Sequence, residues 1–416
     1  MADKKRVLII SFHYPPSPAA TPSPVYSWAK YLRGLDWEPI LLATEYGDSV
    51  KKDAALDYPV FRTAHTQAFE KLVTRRLAMS SDALSFKLLN FMLITFLLYP
   101  DEKRGWFSEA YRQGLSILRD HPVSVILSSG APWTDFWVAN RLSRKMKIPW
   151  IAHYRDPWTQ RTSQGLRFKW LIPTAMSRVI EKSLIGTAHC CLHASDLWAA
   201  QLSAMTGKRV YWLPNGYDPD DFQDVSDSVP DKEALTISYV GTLHFPQRLD
   251  PFFRGFEKFV LDSKVAPGSC VLNFIGTPHI ESINRDYPLI REYARFIPYV
   301  SKPEAIQCMS RSHVLLLFLS KDTGWYPAKT YEYLASHRVI LASPDNGGVM
   351  NRLLRGAEAG VVLDTPSEIA SWLNEKMAEF RKSGQLRSST RMDAVREFDR
   401  KRQTARLAQI LNGVSQ

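Results

Sequence analysis

A chain of 416 residues, 45% apolar and 23% charged, is too long for one ordinary core and too apolar to stay disordered, so two globular domains of roughly 200 residues are expected. The 53 Lys and Arg against 42 Asp and Glu leave a net charge of +11, which calls for an anionic partner: nucleic acid, an acidic membrane surface or a phosphorylated small substrate. Cys190, Cys191, Cys270 and Cys308 lack metal-ligand spacing and read as buried thiols of a reducing cytosol.

The charged start MADKKRVLIISF runs straight into a strand and gives no signal-peptide pattern. That strand, Arg6–Ser11, is an unbroken aliphatic run of the kind buried on both faces of a parallel sheet. His13 and Tyr14 follow it directly, before a Pro-, Ala- and Ser-rich loop over Pro15–Pro24 that is stiffer than a glycine-rich phosphate cradle. A helix over Tyr26–Leu35 leads to a strand at Glu38–Ala43. Phe69–Met79 then gathers Phe69, Leu72, Val73 and Leu77 near one face, with Lys71, Arg75 and Arg76 elsewhere. It reads as an ordinary amphipathic helix or as one lying on an anionic membrane. The longest apolar run, Leu88–Tyr99, has 12 residues. About 20 are needed to span a bilayer, so it is a core helix or a patch that dips into lipid.

Strands follow at Val123–Ser128, Pro149–His153, Thr187–Leu192 and Val210–Leu213, with a helix at Thr134–Met146. This alternation predicts a doubly wound parallel α/β sheet over residues 1–214. The cluster Pro214-Asn-Gly-Tyr-Asp-Pro-Asp-Asp-Phe222 breaks both periodicities and opens a linker over 215–233. A second alternating unit, 234–392, has strands at Leu235–Gly241, Val271–Gly276, Phe296–Tyr299, Val314–Leu319, Val339–Ala342 and Val361–Leu363. A closing helix is expected over Asp393–Leu411, within a C-terminal segment (393–416) that packs back on the first domain. Two such units joined by one linker leave a cleft between them.

The stretch KDTGWYPAKTYEYLASHRVILA (321–342) is the most informative one. An apolar strand enters a polar loop, which opens a helix near Pro327, and a second apolar strand follows. Such a loop lies at the carboxyl edge of a parallel sheet, where ligands bind. A helix start there offers free N–H groups to phosphate. Lys329 adds positive charge, and Glu332 adds acceptors for two neighbouring hydroxyls; phosphate and diol together suggest a nucleotide. The plain alternative is a buried helix start carrying a surface Lys and Glu.

Seven blocks in order, SFHYPP, PDEKRGW (Pro100–Trp106), SSGAPW (Ser128–Trp133), IAHYRDPW (Ile151–Trp158), LPNGYDPDDF (Leu213–Phe222), YVGTLHFPQR (Tyr239–Arg248) and PAKTYEYLASHRVILA (Pro327–Ala342), span nearly the whole chain. With them the chain resembles the family 4 glycosyltransferases of the GT-B fold, in their bacterial surface-polysaccharide branch. The resemblance implies two Rossmann-like domains facing a central cleft. The C-terminal domain would hold a nucleotide-diphosphate sugar, UDP- or GDP-linked, and the N-terminal one the acceptor hydroxyl of a glycan or lipid-linked glycan.

Glu332 matches the family's second motif glutamate, a ribose ligand. The first, a donor-sugar contact, is replaced by Gly324, with Asp322 beside it as a substitute. Because the leaving group is a nucleoside diphosphate, fixed positive charge matters more than a base. Thr242 stands where the family has an Arg, which leaves Arg248 and Lys329 as the diphosphate clamp; Gly241 lets backbone approach phosphate, and Tyr326 and Thr330 complete the donor loop. His153 and Asp156, placed just past a strand end, are the candidates for orienting or deprotonating the acceptor, beside an Arg155–Asp156 pair that also reads as a structural turn closure. His13, Tyr14 and Trp133 are the acceptor-side residues.

The family retains anomeric configuration without a metal. No Asp-x-Asp is placed directly after a strand, and the Asp218–Asp221 cluster lies in the linker, so no metal and no cofactor are expected. The protein is expected in the cytoplasm, on the inner face of the membrane if the basic and apolar segments meet lipid. Rival readings are a nucleotide-sugar epimerase of the same fold and, given Gly324, a non-catalytic sugar-nucleotide or membrane-surface binding subunit. Nucleic-acid binding rests on charge alone and lacks a recognition-helix or aromatic-platform signature.

Overall fold

The computed structural model describes residues 4–17, 24–49, 53, 56–71, 99–160, 171–225, 229–243, 248–277 and 281–415. The chain forms two compact units: Met1–Asn215 with Gln403–Gln416, and Gly216–Arg402.

In the first unit, β1 (Lys5–Ile10), β2 (Trp37–Thr44), β3 (Val60–Thr63), β4 (Val125–Gly130), β5 (Trp150–Tyr154), β6 (Cys190–His193) and β7 (Val210–Trp212) are the strands among the described residues. They form one parallel sheet in the order β3-β2-β1-β4-β5-β6-β7. The aliphatic run of β1 is buried because both faces are covered, and successive side chains divide between them. Leu8 and Ile10 join Phe136, Leu142 and Trp150 on one face, while Val7 and Ile9 join Trp28 and Leu41 on the other. The helix Arg400–Val414 closes that second layer with Leu407, Ala408 and Leu411.

The sequence pattern gives no strand at 60–63; β3 is a half-buried edge strand without apolar alternation. Arg62 ties it in, donating to both Asp53 oxygens and, at 2.9 Å, to the Thr44 carbonyl.

The second unit repeats the plan with β8 (Leu235–Val240), β9 (Cys270–Ile275), β10 (Ala294–Ile297), β11 (Val314–Phe318), β12 (Val339–Ser343) and β13 (Gly360–Val362). Their order is β10-β9-β8-β11-β12-β13, again parallel throughout. The helix Asp250–Asp262 sends Phe252, Phe253, Phe256 and Phe259 into the core. Gly255 lets it approach the helix Pro366–Ser383: a Cβ there would lie 2.7 Å from Ile369 Cβ and 3.0 Å from the Pro366 carbonyl.

The closing helix is not continuous. It breaks between Met392–Arg396 and Arg400–Val414. Over the break the backbone bridges to Tyr217, whose N–H donates to the Phe398 carbonyl while Arg400 N–H donates to the Tyr217 carbonyl, each at 2.9 Å. Gly216 makes this possible, with φ +69 and the Phe398 carbonyl where a Cβ would stand.

Candidate functional site

In each sheet the first strand sits between strands whose connections run in opposite directions, which creates a switch point at the carboxyl edge. In the second unit β8 and β11 flank that point. Gly241 follows β8 directly, with φ +120 and a position where a Cβ would lie 2.7 Å from Lys329 Nζ, so the missing side chain is the space the lysine occupies. The ammonium stands 3.7 Å from the centroid of the Tyr239 ring. Burial lowers its pKa to about 7, opposed by the charge of Glu332.

Glu332 lies one turn further along the helix Lys329–Ala335, on the same side as Lys329. Val240 N–H donates to the Tyr333 hydroxyl at 2.8 Å, which pins this helix to the end of β8. Lys302 Nζ approaches Glu332 to 3.8 Å while ion-paired with Asp221. Burial raises the Glu332 pKa, and Lys302 and Arg400 pull it back down. The helix has only seven residues, and Thr330 N–H already donates to the Pro327 carbonyl at 2.9 Å. The positive character of the site therefore lies in Lys329 rather than in a free helix terminus.

The preceding loop is held from beneath. Asn346 donates to the carbonyls of Ser320 (2.9 Å) and Asp322 (3.3 Å), and Val349 N–H donates to that of Thr323 at 2.8 Å. Asp322 is half-buried, Gly324 is buried, and Trp325 N–H donates to the Asp322 carbonyl at 3.2 Å. Two expected ligands are instead interior residues. Thr330 is fully buried with its hydroxyl 3.9 Å from Met350 Sδ, and Tyr326 is buried against the Tyr331 ring. Thr242 is exposed, its hydroxyl donating to the Gly276 carbonyl at 3.2 Å. Arg248 is exposed beside the end of β11, its N–H donating to the Leu319 carbonyl at 3.3 Å.

In the first unit, the ends of β1 and β4 are joined by Phe12 N–H donating to Asp135 at 2.9 Å. His13 follows, partly buried; burial, with Arg155, Lys103 and His65 nearby, lowers its pKa to about 4. Trp133 stacks on Trp158 at 4.9 Å and 2°, and Asp101 accepts from the N–H groups of Trp133 and Thr134. Asp156 is half-buried next to Arg155, whose N–H donates to the Gly130 carbonyl and whose guanidinium donates to that of Ala131. His13, Trp133 and Asp156 thus lie along one sheet edge.

Two expectations are corrected here. His153 is not past the strand end but inside β5, at 0% exposure, with Nδ1 3.0 Å from the Ser129 hydroxyl and its ring edge on Trp28. Burial keeps it neutral. Tyr14 is also interior, its hydroxyl 2.6 Å from that of Tyr58.

The sequence reading misses Tyr239, Lys302, Asp221 and Arg400. Asp221 falls in the segment read as linker, which instead forms the helical turn Pro219–Val225. Lys302 has no local signature beyond the capping box that starts its helix. Most of the basic and apolar segments at 69–79 and 88–99, and His244–Gln247, lie outside the described residues. Among the described residues no three His, Cys, Asp or Glu side chains gather as metal ligands, and no helix is long and apolar enough to cross a membrane.

No family model matches the chain, and no curated protein matches it. Solved structures do. HepE of Anabaena, crystallised with UDP and glucose, is 13% identical with a TM-score of 0.62 over 98% of this chain and 100% of that one. Sucrose-phosphate synthase of Thermosynechococcus elongatus is 13% identical, with a TM-score of 0.65 over 99% of each chain. UDP-GlcNAc 2-epimerase of Methanocaldococcus jannaschii is 12% identical, with a TM-score of 0.55 over 98% of this chain and 99% of that one. At such identities the likeness carries the fold: this chain has the paired Rossmann-like architecture of the GT-B glycosyltransferases.

Proposed function

We propose that the protein is a retaining, metal-independent glycosyltransferase that moves a sugar from a nucleotide-diphosphate donor, UDP- or GDP-linked, to an acceptor hydroxyl of a glycan or lipid-linked glycan. The observation that carries this reading is the placement of Lys329 over Tyr239 and Gly241 at the switch point of the second sheet, with Glu332 one turn away. An ammonium in a space kept open by a glycine suits a phosphate, and a carboxylate about one turn distant suits the vicinal hydroxyls of a ribose.

On this reading Lys329 and Arg248 stabilise the negative charge that develops on the departing diphosphate. The donor loop contributes Asp322 and the backbone around Gly324, and Thr242 lies beside Gly241. His13, Trp133 and Asp156 are the acceptor-side residues; the stacked Trp133–Trp158 pair offers an apolar face to a sugar ring. HepE, a structural relative, was crystallised with UDP-glucose, which supports a nucleotide-sugar donor. A cytoplasmic protein working at the inner face of the membrane fits a lipid-linked acceptor and the net charge of +11.

A second reading, nucleotide-sugar epimerisation, is favoured by the likeness to UDP-GlcNAc 2-epimerase, while Gly324 in place of a motif glutamate favours a non-catalytic binding subunit. Incubation with a panel of UDP- and GDP-sugars separates the two. Donor consumption that requires an added acceptor supports transfer. Free epimer formed without acceptor supports the second reading. Neither product, with nucleotide still bound, leaves a binding subunit.

A further inference from the structure

We propose that Lys302 is a positioning residue of the nucleotide site, held off Glu332 by Asp221 so that the carboxylate stays open to two hydroxyls and the site prefers a ribonucleotide to its 2′-deoxy form. The proposal rests on the reading of Glu332 as the ribose ligand.

The geometry is that of a cation held at arm's length. Lys302 opens the helix Lys302–Ser310, fixed by the capping box of Ser301 with Glu304 and by Pro303. Its ammonium is ion-paired with Asp221 on the turn Pro219–Val225, and stands 3.8 Å from Glu332 Oε1. Asp221 thus takes the short contact and keeps Lys302 from closing on Glu332. A tight pair would consume the lone pairs that two ribose hydroxyls need, whereas no cation at all would leave a carboxylate in a desolvated place.

The charged groups facing Glu332 are Lys302, Arg400, Asp221 and, from its own helix, Lys329. Lys302 is the strongest of the favourable charges, ahead of Arg400, so its loss shifts Glu332 toward its protonated form, with Arg400 and Lys329 still opposing that shift. A protonated carboxyl has only one oxygen free to accept from a diol.

The test is calorimetric binding of UDP and 2′-deoxy-UDP, repeated with GDP and its 2′-deoxy form, to wild type, K302M, K302R and E332Q, with thermal unfolding as a check on folding. Wild type is expected to prefer the ribonucleotide by about tenfold, one charged hydrogen-bond pair. K302M should lose part of that preference at the acid end of the range tested and regain it as pH rises, because Glu332 then ionises without help. K302R should restore it at low pH. A purely structural role for Lys302 would weaken both nucleotides alike at every pH, and that result overturns the proposal. So does an unchanged preference in K302M while E332Q abolishes it, an outcome that leaves the nucleotide reading intact. If E332Q binds both nucleotides as wild type does, or wild type binds none, the reading of Glu332 falls and the proposal falls with it.

Discussion

With Lys329 at the phosphates, as proposed above, nucleotide affinity becomes a titration of one amine. Its pKa is lowered to about 7 in the free protein because burial beside Tyr239 outweighs the pull of Glu332. A diphosphate arriving at the ammonium favours the charged form and raises that pKa. Binding is therefore linked to proton uptake: strongest where Lys329 is already protonated, and weaker as pH climbs through about 7.

Taking a bound-state pKa of about 9, affinity scales as (1 + 10^(9−pH))/(1 + 10^(7−pH)), about 50 at pH 7 and about 2 at pH 9, an affinity loss of about twenty-five-fold, or about 1.9 kcal/mol at 1.36 kcal/mol per decade. The window lies above the second phosphate pKa of about 6, so the nucleotide's own charge is nearly constant across it. Isothermal titration at pH 7, 8 and 9 measures Kd. Repeating the pH 8 titration in buffers of different ionisation enthalpy measures uptake of about 0.8 proton per nucleotide, the difference between 0.9 protonated bound and 0.1 free. Lys329→Met should bind more weakly and show neither the pH slope nor the uptake. A wild-type Kd constant within twofold over this range, or the same slope in the Met variant, refutes the placement of Lys329 at the phosphates.

Gly241→Ala sets a Cβ 2.7 Å from Lys329 Nζ and strains a backbone at φ +120; nucleotide Kd should rise tenfold or more, read by the same titration. Arg248→Ala should lower donor turnover by tenfold or more, with little change in thermal stability, because the side chain is exposed; wild-type kcat/KM would remove it from the clamp. Gly216→Ala should destabilise by about 2 kcal/mol or more, since a left-handed φ and the Phe398 carbonyl both oppose a Cβ; denaturant unfolding measures it. His153→Phe should retain donor binding within a few-fold, because the imidazole is interior to β5, with Nδ1 on the Ser129 hydroxyl.

The two sheets are legible because a parallel strand covered on both faces must be apolar throughout, and VLII, VLLLF and VILA are. The same rule hides His153. In a both-faces-buried strand a lone polar residue reads as the strand's end, whereas β5 runs one residue further and closes Ser129 and Trp28 around the ring. Tyr14 and Thr330 fail for a related reason: position after a strand fixes the neighbourhood but not which way a side chain turns. Lys329, Glu332 and Gly241 are legible because strand–loop–helix order alone carries them to the switch point.

What tunes those residues is not local in sequence. Lys302 and Asp221 stand 30 and 111 positions before Glu332, and Arg400 stands 68 after it, so no window of periodicity contains the cluster. The break in the closing helix has the same origin. Tyr217 claims the backbone at Phe398 and Arg400, and the restarted helix carries Arg400 at its first position, within electrostatic reach of Glu332. The turn at 216–225, which looks like a linker from its Pro, Gly and Asp content, therefore has a second role within its unit: through Tyr217 and Asp221 it sets where two of the cations around the candidate ribose ligand stand.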